Sequence, residues 1–403
     1  MPDAPLPLRR VIFLNRFAWP EEPATAQLLA DLSEALAAAG HEVTVIASRP
    51  GGSPLARRQT HHGVTLLRVT TTRWARLGLA GKAADFLTFQ LGALAKLAFT
   101  VQRGDTVVAL TDPPLLGIGA WLTARLCGAR IFHWVQDVYP EIAAVVTGHV
   151  SLQVVNPLRD LAWRRSDGCV TLGSDLAATL LKAGVPADKI SVSPNWAPAG
   201  LTVQPREAGD SYRARWQLAG KFVVAYSGNL GRVHDLEPVL EVADALREAT
   251  DIAFVFLGNG AQRRRLEDQA ARRGLANVRF LAAQPRAHLG ESLAVGDLHL
   301  VTLLPGCEWL VFPSKLYGVT AIGRPVIFIG PRDCEIARLV TERGLGRSFA
   351  RDEVASMAAA IRQLAANAGQ LKQLRDAATV FGRENSGPAR AVADWERLLA
   401  RAG

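Results

Sequence analysis

The sequence predicts an α/β protein of two doubly wound domains facing across a cleft, and three observations predict it. A chain of 403 residues exceeds what one compact core ordinarily holds and suits two domains of about 150 to 200 residues each. Short apolar runs rich in β-branched residues alternate with stretches of helical period, as strands and helices do in a parallel sheet. That alternation breaks once, over residues 197–210 (APAGLTVQPREAGD), where proline, glycine and charge gather as in a linker, and then restarts.

The first strand is expected at residues 11–15 (VIFLN), followed by a turn holding Pro20 and Pro23 and a helix over 24–39 stopped by Gly40. Further strands are expected at 42–47, 64–69, 106–110 and 130–136, with helices at 80–102, 116–127 and 174–183. Past the break, strands fall at 222–226, 252–257, 278–281, 298–303 and 326–329, and helices begin near Leu236, Ala261, Arg286 and Pro313. Three helical stretches close the chain at 352–366, 370–382 and 388–401, the last with Trp395, Leu398 and Leu399 on one face. The pattern divides the chain into Rossmann-like domains at 1–198 and 199–383, with 384–403 a terminal helix suited to packing back on the first.

Composition narrows the function classes. A formal net charge of +9 favours an anionic partner, but the arginines are spread along the chain, so a solvated basic surface suffices and no nucleic-acid partner is expected. Cys127, Cys169, Cys307 and Cys334 lie far apart in or beside apolar runs, as buried free thiols of a cytoplasmic protein do. The start, with Pro2, Pro5 and Pro7, lacks the long apolar core of a signal peptide, and no stretch reaches about 18 uninterrupted apolar residues.

In open α/β sheets ligands bind beyond the carboxyl ends of the strands, so the loops there are where chemistry is sought. Residues 226–232 (YSGNLGR) follow the first strand of the second domain. A glycine turn with Gly228, Asn229 and Arg232 before a helix suits phosphate, although a plain tight turn reads the same way. Gly258 and Gly260 (LGNG) repeat the arrangement after the next strand. Ser314 and Lys315 (PSK) open another helix, where serine can cap the end. A lysine there opposes the dipole, which a bound anion explains better than stability does.

In the first domain, residues 136–141 (QDVYPE) follow a strand and set Asp137 and Glu141 four residues apart. Asp137 suits a general base or a hydroxyl-binding group, or equally a cap of the following turn. Arg16 ends the first strand and reaches the cleft or only its rim. His133 and His234 adjoin these motifs. The sequence contains no Walker loop, H-E-x-x-H, G-x-S-x-G, zinc-like Cys/His cluster or D-x-D pair.

Together these fragments resemble the family-4 glycosyltransferases of the GT-B fold, in the bacterial branch that builds capsule, O-antigen and exopolysaccharide. The resemblance is carried by residues 14–46, 111–143, 193–198, 226–241, 254–267 and 312–340, in order along nearly the whole chain. It implies a retaining transfer from a UDP- or GDP-sugar held by the C-terminal domain, with no cofactor and no metal, to a polyprenyl-diphosphate-linked sugar entering from the N-terminal side. By that likeness Gly228 and Asn229 approach the diphosphate, Ser314 and Lys315 clamp it, and Gly258 and Gly260 with Ala283 and Gln284 line the nucleotide. Asp137 falls near the reacting sugar, with Arg16 and Glu141 on the acceptor side.

The family's paired glutamates are displaced. Leu310 and Gly318 occupy their expected positions, leaving Glu308 as the sugar-binding candidate if its loop shifts. A lipid-linked acceptor also implies contact with the inner-membrane surface, for which residues 73–102, with Arg73, Trp74, Arg76, Lys82, Phe86, Phe89 and Leu91, are suited. The alternatives are an epimerase or phosphorylase of the same fold, or a non-enzymatic binding protein, which would carry an export signal.

Overall fold

The computed structural model describes residues 9–401, so Pro2, Pro5 and Pro7 lie outside the described residues. Backbone contacts divide the chain into one unit of Met1–Asn195 with Pro388–Gly403 and a second of Trp196–Gly387.

The first unit runs β1 (Arg10–Leu14), α1 (Ala24–Ala38), β2 (Glu42–Pro50), β3 (Arg58–His61), β4 (Val64–Thr71), α2 (Leu79–Ala98), β5 (Thr106–Leu110) and α3 (Leu116–Leu126). It continues with β6 (Arg130–Val135), α4 (Glu141–Thr147), α5 (Asn156–Arg165), β7 (Gly168–Thr171), α6 (Ser174–Lys182) and β8 (Ile190–Val192). The sheet order is β3-β4-β2-β1-β5-β6-β7-β8, and β1 and β5 at its centre are buried along almost their whole length because helices cover both faces. The sheet is not wholly parallel: β3 pairs antiparallel with β4 through the two-residue turn His62-Gly63, both residues at positive φ. β3 reads RQTH, a polar edge strand with none of the alternation that marks a half-buried one, so the hydrophobic pattern passes over it.

The second unit runs α7 (Asp210–Arg215), β9 (Phe222–Ser227), α8 (Glu237–Ala245), β10 (Ile252–Leu257), α9 (Arg263–Arg272), β11 (Val278–Leu281), α10 (Leu289–Ala294) and β12 (Leu298–Thr302). Then follow α11 (Lys315–Ala321), β13 (Val326–Ile329), α12 (Glu335–Glu342), β14 (Gly346–Phe349), α13 (Val354–Ala366) and α14 (Ala368–Glu384). Its sheet, β11-β10-β9-β12-β13-β14, is parallel throughout.

The expected linker is not a loose one. The buried Arg324 guanidinium donates to the carbonyls of Gln204 (2.8 Å), Pro205 (3.1 Å) and Gly296 (3.0 Å), and Arg206 pairs with buried Asp297 (3.2 Å), so the segment is pinned to the second unit. The bonds run through backbone carbonyls and the Arg206 side chain, while most of the segment's own side chains remain exposed. The closing helix α15 (Ala389–Arg401) lies in the first unit. Its buried Trp395 meets Phe13 and Trp134 edge-on, at 6.1 and 5.6 Å between ring centroids, and Asp394 accepts from Ser193 Oγ at 2.9 Å. Among the described residues no helix is long and apolar enough to cross a membrane.

Candidate functional site

In the second unit the turns after β9 and β10 interlock. Gly228 N donates to Leu257 O (2.8 Å), Leu230 N to Asn259 O (2.8 Å), and the Gln262 side chain to the carbonyls of Gly231 (2.6 Å) and His234 (2.8 Å). Glycine is required here. At φ +138° a Cβ on Gly258 would stand 2.1 Å from Gly228 O, and at φ +131° one on Gly228 would stand 2.8 Å from Lys315 Cε. The Gly228 N–H is thus spent on the turn itself; what this glycine supplies is close approach, and it brings the lysine stem against the loop.

Lys315 is the first residue of α11, and its Nζ lies 2.8 Å from His234 Nε2 and 5.0 Å from the centroid of the Tyr226 ring. His234 Nδ1 is 2.9 Å from Thr302 O, which can only accept, so Nδ1 carries the proton and the Nε2 lone pair receives an N–H from Lys315. Burial, reinforced by the neighbouring ammonium, pushes His234 down to about 3, which keeps the ring neutral. Burial pushes Lys315 down to about 7. No carboxylate among the described residues pairs with it, so the strand ends surround a cation withdrawn from water and left without an anion.

The remaining expected donor residues are placed as follows. Ser314 has helical φ and ψ and makes no capping bond, so its hydroxyl does not do the capping the sequence suggested. Asn229 and Arg232 are exposed on the glycine turn, and Asn259 Oδ1 on the neighbouring turn accepts from Arg263 at 3.2 Å. Ala283 is exposed beyond β11, and Gln284 folds onto its own turn by donating to Ala282 O at 2.9 Å. Glu308 accepts from Gly306 N at 2.6 Å, which closes its loop locally.

In the first unit Asp137 follows β6, its N–H donating to Thr111 Oγ1 at 3.3 Å, and lines a pocket with Gly117, His133, Tyr139 and Arg159. Burial, with the negative Asp112 nearby, pushes its carboxyl up to about 7. Asp112 is itself gripped by Arg16 through two bonds, Nε to Oδ1 at 2.9 Å and Nη2 to Oδ2 at 3.2 Å, and the Arg16 guanidinium lies over Phe17 and Phe86. Glu141 accepts from Arg159 (2.5 Å) and Asn156 (2.9 Å), tying the start of α4 to α5. Arg16 and Glu141 are therefore occupied within the unit and shape the surroundings of Asp137 from outside. Sequence reasoning noticed His234 only as a neighbour and missed Asp112 and Tyr226. The histidine had a signal, its place in the loop between a strand and a helix, and Asp112 had a similar one, a carboxylate just after β5.

Residues 25–196 match a family model described as glycosyl transferase 4-like domain, and residues 210–381 one described as glycosyl transferases group 1. The chain is 28% identical over 363 residues to WcaI of Escherichia coli (strain K12), named for glycosyl transfer in colanic acid biosynthesis, covering 85% of this chain and 89% of that protein. It is 29% identical over 301 residues to WbjE of Pseudomonas aeruginosa, named as a glycosyltransferase, covering 72% of each. The crystal structure of Anabaena HepE in complex with UDP superposes with a TM-score of 0.75 at 15% identity, over 97% of this chain and all of that one. HepE has also been solved with UDP-glucose.

Proposed function

This chain belongs to the family-4 glycosyltransferases of the GT-B fold, and we propose that it moves a sugar, with retention of configuration, from a UDP- or GDP-sugar to a polyprenyl-diphosphate-linked glycan in cell-surface polysaccharide biosynthesis. The observation that carries this reading is the unpaired Lys315 beneath the Gly228 turn. At its lowered pKa the amine is partly neutral without ligand. A diphosphate beside it supplies the missing anion, raises the pKa and completes the charge. As the glycosidic bond breaks, negative charge builds on the departing diphosphate, where a cation already fixed in a dry site stabilises it without reorganisation.

His234, neutral and tethered to Thr302, fixes the direction of the ammonium. Arg232 on the exposed turn adds a second positive group, the start of α11 at Ser314 faces the same anion, and Gly258, Gly260, Ala283 and Gln284 border the nucleotide. Lys315 and Arg232 supply positive charge at the diphosphate, the role a metal ion would otherwise take. With its carboxyl raised to about 7, Asp137 is in part ionised at neutral pH, and in that form it accepts a hydrogen bond from an acceptor hydroxyl and takes up that hydroxyl's proton late in transfer. The relation to HepE, solved with UDP and UDP-glucose, supports a uridine donor.

The acceptor side meets the inner-membrane surface. Among the described residues, all exposed large apolar side chains except Val203, Trp309 and Val380 belong to the first unit. They include Trp74, Leu77, Leu87, Leu91 and Phe99 along α2 and its approach, beside the exposed Arg73, Arg76 and Lys82. The one acid of α2, Asp85, is engaged by Thr72 Oγ1 and the N–H groups of Trp74 and Ala75. Phe89, expected on this face from the sequence, is buried in the core, and Phe86 is half-buried beneath Arg16; Leu87 and Leu91 take the outward positions.

A thermal-shift screen of nucleotides followed by a transfer assay to a lipid-linked acceptor tests the reading. UDP or GDP is expected to raise the unfolding temperature, and Lys315→Ala to diminish that rise. Indifference to every nucleotide contradicts the reading, and turnover of donor alone to an isomeric nucleotide sugar replaces it with epimerisation.

A further inference from the structure

We propose that Glu34, His61 and His62 form a binding site for one divalent transition-metal ion of the zinc type at the edge of the first unit's sheet. Successive side chains of a strand point to opposite faces, so adjacent histidines do not ordinarily share a ligand. Here His61 is the last residue of β3 and His62 the first of the turn, at φ 43°. That left-handed step swings the second ring to the side of the first, and the two stack at 4.0 Å between centroids. Both then face Glu34 on α1: His61 Nε2 is 3.5 Å from Oε1 and His62 Nδ1 is 2.8 Å from Oε2.

One donor atom from each residue lies within 4.8 Å of the others. A tetrahedral zinc with bonds of about 2.0 to 2.1 Å separates its ligand atoms by about 3.3 Å, so closure on an ion draws the three donors together and turns the stacked rings until their lone pairs converge. The Trp19 ring stacks on the opposite face of His61 at 3.7 Å, which holds that imidazole in place. Ala18, Leu29, Val45 and Leu66 border the site and make one side apolar, a setting that strengthens ion–ligand attraction. His62 is mostly exposed, which leaves a coordination position open to water.

Two imidazoles and one carboxylate select zinc, copper or nickel over magnesium or calcium, which take oxygen. β3 is an edge strand and β6, which leads to Asp137, lies five strands away, or about 24 Å at about 4.8 Å per strand. The ion therefore takes no part in sugar transfer. It clasps the β3–β4 hairpin to α1, joining segments that a polar edge strand holds only weakly.

The test uses untagged, chelator-stripped full-length protein, titrated with Zn2+ against a chromogenic chelator and with Co2+ by visible absorption. One equivalent is expected to bind with the absorption of a low-coordinate cobalt site, and Zn2+ to raise the unfolding temperature. Removing a partner that merely orients a ligand weakens metal binding about 10- to 100-fold, so His62→Ala and Glu34→Gln, which remove ligands, should each cost at least tenfold. Both should abolish the thermal shift, while His149→Ala and His288→Ala leave binding unchanged. His62 is exposed, so its variant should fold, and metal-free unfolding curves of the variants verify this. Absence of a bound equivalent, or an affinity that survives His62→Ala, overturns the proposal.

Discussion

The two units place an ionisable group beyond a strand end and push it towards neutrality from opposite directions. In the first, burial lifts Asp137 to about 7, with Asp112 adding to the shift. In the second, burial lowers Lys315 to about 7, and its nearest polar partner is a neutral imidazole. The difference lies in what each site lacks. Lys315 lacks an anion, so a diphosphate relieves it. Asp112 beside Asp137 is already held by Arg16, and on the proposed reading Asp137 pairs with an uncharged acceptor hydroxyl. On the proposed reading, one sheet motif thereby yields a site for a charged donor and a site for an uncharged sugar face.

The sharpest way to break this comparison is to delete each charge in turn. Lys315→Ala should lower turnover on the order of 10² to 10³-fold, the loss typical of removing one group that stabilises developing charge, and should reduce the UDP-induced thermal shift. Asp137→Asn should lower turnover by about 10² or more while leaving that shift intact. Loss of nucleotide binding in Asp137→Asn would erase the distinction between the sites.

Next in size is His234→Ala, which removes the acceptor that aims the ammonium. Roughly a tenfold loss in turnover is expected, about 1.4 kcal/mol and at the low end for a hydrogen bond to a charged group, to be read by steady-state kinetics at saturating donor.

The pH dependence of stability sharpens the comparison further, because the two signs are opposite. Between pH 7 and the ordinary lysine value of 10.5 the unfolded chain binds a proton at Lys315 that the folded one does not, so stability from this group grows as pH rises through that window. Between the ordinary aspartate value of 3.8 and pH 7 the folded chain keeps a proton at Asp137 that the unfolded one has lost, so its contribution declines as pH rises. Lys315→Met should flatten the first slope and Asp137→Asn the second, as measured by denaturant unfolding across pH. The smallest effect on stability is at the surface. Leu91→Glu should shift folding stability by no more than about 0.5 kcal/mol, yet reduce cosedimentation with anionic phosphatidylglycerol vesicles.

Legibility followed burial and sequence distance. β5, β10 and β13 are short apolar runs hidden beneath helices, and their limits, like those of the half-buried edge strand β11, coincide with the expected ones. β3 escaped because its residues are polar and pair on one side only, β8 and β14 because three or four residues offer no period to read, and β7, although buried, because glycine, cysteine and threonine break up its apolar run. The segment after Ala197 looked like a linker because its binding partner, Arg324, is about 120 residues away. The glycine turns and Lys315 were legible because each motif is local. The Arg16–Asp112 fork joins residues 96 positions apart, and the capping role expected of Ser314 fails on a backbone angle that the residue type does not specify.

The most direct test of the central claim is the pKa of the Lys315 amine, followed by NMR of the labelled lysine side chain with and without UDP. A value near 7 in the free protein that rises by two units or more with UDP is predicted. An ordinary value near 10.5 that UDP leaves unmoved would contradict it.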